Sequence, residues 1–136
     1  MGPPVYLDTS AVLRATIESG TTPSIAEQIR NASALVTSRL SLVESARAFL
    51  RLRALRAAPA ARLDAAEHDA DALWARCDLF ELTPDVCAAA ARVSPALPLR
   101  ALDALHLATF LSARRRLPDL TLLTADERLR EAVARA

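Results

Sequence analysis

Four acidic residues hold the chemical interest of this chain: Asp8 in "VYLDTSAVL", Glu44 in "SRLSLVESARAF", Asp103 in "LRALDALHLATFL" and Asp126 in "LLTADERL". Asp103 is the most demanding, because it stands in an apolar run with only Arg100 and His106 as polar company. A carboxylate among leucines and alanines is costly to bury unless something pairs or neutralises it. If the four were drawn into one cleft they would repel, and some would bind protons more tightly, unless cations sat between them. Magnesium or manganese meets that need: both are hard, oxygen-seeking ions content with a few carboxylates plus water. Such ions activate water as a nucleophile and stabilise the leaving oxygen of a phosphoryl group.

Each acid taken alone also has an ordinary explanation. Asp8 suits an N-cap or Asx turn. Asp126 lies inside a possible capping box, with Thr124 capping and Glu127 reaching back, and an acid in a first helical turn is favoured by the dipole. Glu44 could be a surface acid held by Arg47 at i+3, and Asp103 could be paired with Arg100. The case for chemistry therefore rests on whether the fold brings the four together.

The elements that must position them are legible as short runs. β-favouring segments occur at 4–8, 34–38, 79–83 and 120–124, each too short and too apolar for a solvent-facing hairpin. Helical stretches lie between them, at 10–18, 23–32, 39–56, 60–77, 84–93, 101–116 and 125–135, with breaks at Pro59 and in "SPALPLR". Strands separated by helices predict right-handed crossovers and a mostly parallel sheet covered by helices. Ligands in such sheets collect outside the carboxyl ends of the strands, which selects Asp8 and Asp126. On the 39–56 helix, Leu42, Val43, Ala46, Phe49 and Leu50 predict the buried face, with Glu44, Arg47 and Arg51 on another. The 60–77 helix carries Asp64, Glu67, His68, Asp69 and Asp71 on what reads as a solvated face.

Composition narrows the classes. A length of 136 residues, 52% hydrophobic and 24% charged, predicts one folded domain over residues 1–136. No apolar run reaches membrane-spanning length, and "MGPPVYLDTS" has neither the basic start nor the apolar stretch of a signal peptide, so the expected location is cytoplasmic. Gly2 and Gly20 are the only glycines, which excludes a P-loop and a dinucleotide fingerprint. All 17 basic residues are arginine, so every mechanism that needs a lysine is excluded. Cys77 and Cys87 lack CxxC spacing and a histidine at ligand distance, and are expected to be reduced, buried and structural.

The four quoted motifs, in their order and setting, resemble those of the PIN-domain ribonucleases, and the chain looks most like a toxin of the VapC type. The resemblance runs from residue 5 to about 134. It implies a PIN-like three-layer α/β sandwich, with a central, mostly parallel sheet of four to five strands flanked by helices. It implies metal-dependent hydrolysis of RNA, with Asp8, Glu44, Asp103 and Asp126 as the catalytic acids and Mg2+, or Mn2+, as cofactor. Asp8 and Asp103 would be the direct metal ligands. Glu44 and Asp126 would complete the cluster directly or through water, one of them orienting the attacking water. The hydroxyls of Thr9, Ser10 and Thr124 would hold the acids by hydrogen bonds. It further implies an RNA substrate, a homodimer and a cognate antitoxin that blocks the acids.

His106 fits the "DALHLA" pattern of the same family. It could carry a proton, but a packed, hydrogen-bonded core histidine is the simpler account, and it stays outside the catalytic set. Arg47 and Arg51 could grip RNA phosphates or pair with the acids, and Arg53 and Arg56 could join them. Arg114, Arg115 and Arg116 could do the same or be ordinary surface. A haloacid dehalogenase would want an acid where Ser10 stands, and a response-regulator receiver would want a lysine. An inactive PIN fold serving as an RNA-binding module should have lost an acid, and none is missing. A nontoxin PIN nuclease would have the same site residues and remains an alternative.

Overall fold

The structure is a computed structural model describing residues 1–136. The elements run β1 (Val5–Leu7), α1 (Thr9–Ala15), α2 (Pro23–Asn31), β2 (Leu35–Ser38), α3 (Arg39–Ala54), α4 (Ala60–Ala75), β3 (Asp78–Phe80), α5 (Pro84–Ala90), α6 (Ala101–Arg116), β4 (Thr121–Leu123) and α7 (Glu127–Ala134). The four strands form one sheet in the order β3-β2-β1-β4, and every pairing is parallel. The strands are shorter than the apolar runs that signal them. The helix expected over 10–18 stops at Ala15, where the Thr16 hydroxyl donates to the Val12 carbonyl and its N–H to Leu13.

A strand covered on both faces carries apolar residues at successive positions, because both directions lead into protein. Val5, Tyr6 and Leu7 are all buried. Val5 and Leu7 join Leu35 and Leu123 in one core, against Val12, Ile25, Ile29, Phe49, Leu63 and Trp74 from α1 to α4. Tyr6 and Val36 point the other way, into a second core with Leu107 and Phe110 of α6 and Leu129 of α7. Burying each such large side chain contributes about 1.5–3 kcal/mol. The two cores clamp the sheet between helical layers, giving three layers with four strands.

The face that α3 buries differs from the expectation. Ser41, Ser45 and Phe49 are buried, whereas Val43 is 57% and Leu50 55% exposed. Hydrophobicity alone misjudges this helix because it lies close on the sheet end, where small residues fit and polar ones find partners: Ser41 Oγ lies 2.7 Å from Thr37 Oγ1, whose own hydrogen goes to the Leu7 carbonyl at 2.6 Å. The thiols also divide. Cys77 is partly buried, donates to the Leu73 carbonyl, and has its pKa pushed up to about 12 by burial, whereas Cys87 is exposed rather than buried.

The chain lays β2 and β3 outward on one side of β1 and then returns to place β4 on the other. The strand order therefore reverses between β1 and β4, and a crevice opens at their carboxyl ends. Asp8 follows β1 at this point, and Thr124 to Asp126 follow β4.

Candidate active site

Asp8 is the N-cap of α1 and only 5% exposed. Its Oδ1 accepts from Ser10 Oγ at 2.8 Å and from the Ala11 N–H at 3.0 Å, and its Oδ2 accepts from Thr124 Oγ1 at 2.6 Å. Burial raises the Asp8 pKa, and these three hydrogen bonds oppose the rise. The Ser10 hydroxyl also accepts from the Ala125 N–H, and Thr124 Oγ1 accepts from the Asp126 N–H, so the turns after β1 and β4 are stitched together by side chains.

Thr124 is thus not the cap of α7. Asp126 is, its Oδ1 accepting from the N–H groups of Arg128 and Leu129 at 2.9 and 3.2 Å. The capping box fails because α7 begins only at Glu127, with Asp126 as its cap, and the Glu127 side chain turns to Arg130.

Glu44 projects from α3 and receives two donors on a single oxygen. Thr9 Oγ1 donates to Oε1 at 2.9 Å, and His106 Nε2 lies 2.5 Å from the same atom. His106 Nδ1 in turn meets Tyr6 Oη at 2.8 Å. Burial first, then the charges of Asp8 and Glu44, raises the Tyr6 pKa well above its ordinary value, so the phenol keeps its proton at neutral pH.

Asp103 is the third residue of α6, in a first turn whose N-terminal dipole favours an acid. Its pairing with Arg100 is loose: 3.7 Å, with the arginine side chain 89% exposed and the acid 20%. An exposed partner at that range contributes little. Burial raises the Asp103 pKa, repulsion from Asp126 raises it further, Arg100 opposes the rise, and Glu44 adds to it. The charges of Asp126 and Glu44 are therefore both felt at Asp103.

A carboxylate has about four acceptor positions. Asp8 has filled three, leaving one on Oδ2. Glu44 and Asp126 have each committed one oxygen and left the other without a protein donor. Asp103 has committed neither oxygen to a hydrogen bond. The free donors are all hard carboxylate oxygens, which fits Mg2+ or Mn2+ and not a soft metal. No three His, Cys, Asp or Glu side chains stand close enough to enclose an ion by themselves. Magnesium bound through one or two carboxylates, with water filling the remaining positions, requires no such cage.

Arg47 and Arg51 are exposed on α3 and make no ion pair, so they do not neutralise the acids. Arg53 is instead held by Asp64 and Glu67 of α4. In the arginine run, Arg114 lies over the Phe110 ring at 5.1 Å and Arg116 over Phe80 at 5.9 Å. A groove of about 1070 Å³ lies between β3, α5 and the second half of α6; Arg115 and Arg116 line it, and none of the four acids does. The four acids lie away from this groove, around the strand-order reversal. His106 is the residue that sequence reasoning set aside although it contacts one of them. Helical spacing places it one turn from Asp103, on the same apolar helix.

A four-stranded parallel sheet of this order, covered by helices on both faces and carrying acids at its reversal point, is the architecture of a PIN domain, and the chain belongs to that family: the PIN domain profile matches residues 5–134. The chain is 35% identical over 131 residues to Ribonuclease VapC35 of Mycobacterium tuberculosis, in strains CDC 1551 / Oshkosh and ATCC 25618 / H37Rv, an alignment covering 94% of this chain and 88% of the relative. Among solved structures, PAE2754 from Pyrobaculum aerophilum shares the fold with a TM-score of 0.66 at 18% identity, covering 96% of this chain and 79% of that one. VapBC2 from Rickettsia felis, bound to a DNA fragment from their promoter, gives 0.60 at 13% identity, covering 90% of this chain and 99% of that one.

Proposed function

We propose that this chain, as a single PIN domain over residues 1–136, is a metal-dependent endoribonuclease and the toxin of a toxin–antitoxin pair. The observation that carries the proposal is the set of acids at the strand-order reversal: Asp8, Glu44 and Asp126 are fixed by protein donors, Asp103 is free of them, and all four retain unclaimed carboxylate oxygen. The likeness to Ribonuclease VapC35 supports RNA as the substrate. The likeness to VapBC2 in fold fits an antitoxin partner. A cytoplasmic site of action goes with that role, and no helix is long and apolar enough to cross a membrane.

Asp8 and Asp103 would hold Mg2+, with Mn2+ able to replace it, and the free oxygens of Glu44 and Asp126 would complete the site directly or through water. When bound, the ion would supply positive charge for activating water and for stabilising the leaving oxygen. Asp8 can offer one lone pair in a fixed direction, because Ser10, Ala11 and Thr124 prevent its carboxylate from turning. Asp103, free of donors, can adjust to the ion. Glu44 or Asp126 would orient the attacking water and receive its proton, while the P–O bond to the departing ribose oxygen breaks. Arg47 and Arg51, exposed and unpaired on the helix that carries Glu44, would meet RNA phosphates.

The deciding experiment incubates the purified chain with single-stranded RNA in Mg2+, in Mn2+ and in EDTA, beside Asp8→Asn. Cleavage with either ion, lost in EDTA and in the variant, is the expected outcome; cleavage that survives Asp8→Asn would place the chemistry elsewhere. Expression without a partner should arrest growth, whereas normal growth of cells containing active nuclease would favour an RNA-processing role.

A further inference from the structure

The side chains behind Glu44 form a chain of contacts that fixes more than the fold requires. His106 has 3% of its side chain exposed, and both ring nitrogens are taken by protein, so it does not exchange protons with a substrate. An ionised carboxylate can only accept, so the Glu44 contact places a hydrogen on Nε2. In the neutral ring Nδ1 is then bare, and Tyr6 Oη is its donor at 2.8 Å. The Glu44 oxygen thereby selects the tautomer of His106, and the Tyr6 hydroxyl, able to donate or accept, completes it by donating to Nδ1. Thr9, on α1, donates to the same Glu44 oxygen that faces His106, on α6. Two donors from different helices converge on Oε1, which fixes the plane of the carboxylate and leaves Oε2 without a protein donor.

We propose that His106, with Nε2 against Glu44 and Nδ1 against Tyr6, is a positioning residue that fixes the Glu44 carboxylate so that Oε2 serves the metal and water of the site. The assignment rests on the proposed function, but makes a separate claim about which residue aligns Glu44. A protein group that orients a ligand in this way is commonly worth about 10–100-fold in metal affinity or activity.

The test uses the full chain stripped of metal. Mn2+ binding is followed by the paramagnetic signal of free Mn2+, RNA cleavage is resolved into kcat and KM, and the nitrogen shifts of the His106 ring are read by NMR. His106→Leu keeps an apolar side chain but removes the donor; it should raise the Mn2+ Kd about 10-fold and lower kcat about 10–100-fold, with KM nearly unchanged. His106→Gln, whose amide N–H can reach where Nε2 does, should recover most of both losses, and Tyr6→Phe should show a smaller loss. A folded His106→Leu chain with wild-type Kd and kcat would overturn the assignment. If that variant does not fold, the wild-type spectrum decides: a proton on Nε2 supports the assignment and a bare Nε2 overturns it. If the wild type binds Mn2+ but cleaves no RNA, the ribonuclease proposal fails while the Kd comparison still judges His106. A wild type that binds no Mn2+ overturns both.

Discussion

Thr124 Oγ1 donates to Asp8 Oδ2 at 2.6 Å, tying the end of β4 to the end of β1 across the crevice. The same oxygen accepts from the Asp126 N–H, so one hydroxyl serves two of the four acids. Thr124→Val keeps the shape and removes both bonds. A hydrogen bond to a charged group and a stranded backbone donor together predict a loss of about 2–3 kcal/mol in stability without metal. Urea unfolding in EDTA measures it, and an unchanged midpoint would mean that the tie contributes nothing.

Asp103→Asn should separate stability from chemistry. The acid is held above its ordinary pKa by burial and by repulsion from Asp126, so neutralising it relieves the metal-free chain. The melting temperature in EDTA should rise while RNA cleavage falls by about 100-fold or more, the trade expected where a strained charge serves a site. A variant that melts lower than wild type would contradict the burial cost assigned to this acid.

The pH dependence has a definite sign. Asp8 and Asp103 have folded pKa values raised above an unfolded value near 3.8. A raised acid contributes stability that is full below the unfolded pKa and lost as pH rises through the folded one. The two acids should therefore make the metal-free chain less stable as pH climbs from about 4 until both are ionised. Saturating Mg2+ should reverse the slope, because the ion binds the ionised acids. Thermal melts across the range, with EDTA and with Mg2+, test this; parallel curves would show that the acids and the ion do not meet.

Arg47→Ala and Arg51→Ala should leave stability within about 0.5 kcal/mol, since both side chains are exposed and unpaired. If they meet phosphates, KM for RNA should rise several-fold at low salt, and its salt dependence should flatten. Wild-type KM at every salt concentration would assign RNA contact to other residues.

Val43 and Leu50 are large apolar side chains left open on α3, a cost to a solitary chain that a homodimer would remove. The wild type should sediment at about twice the 14.6 kDa of the chain, and Val43→Asp with Leu50→Asp at the single mass. A wild type already at the single mass would leave these side chains to another partner.

The sheet and its helices are legible in the sequence because buried parallel strands announce themselves as short apolar runs and the helices between them are long. What one residue touches is not. Ser41 and Ser45 read as polar and are buried, because the space on the sheet, not their polarity, decides which side of α3 faces inward. Thr124 reads as a helix cap, and only the pairing of β1 with β4 reveals that Asp8 claims its hydroxyl. His106 reads as core, and it is; its bond to Glu44 depends on how α3 and α6 lie against the sheet, and no spacing along the chain encodes that. Asp103 is legible, since an acid in an apolar run with one loose partner asks for an explanation.

Asp8 and Asp126 cap helices, whatever part they take in the proposed metal site. Asparagine caps about as well as aspartate, whereas alanine costs about 0.5–2 kcal/mol at such positions. Only the amide replacement therefore silences these two acids cleanly. Over evolutionary time the four acids are unequally insured: the demands of folding alone would keep a capping side chain at 8 and 126, while at 103 folding offers the charge only a helix dipole and a loose arginine. In a lineage released from cutting RNA, position 103 is where decay should first be written.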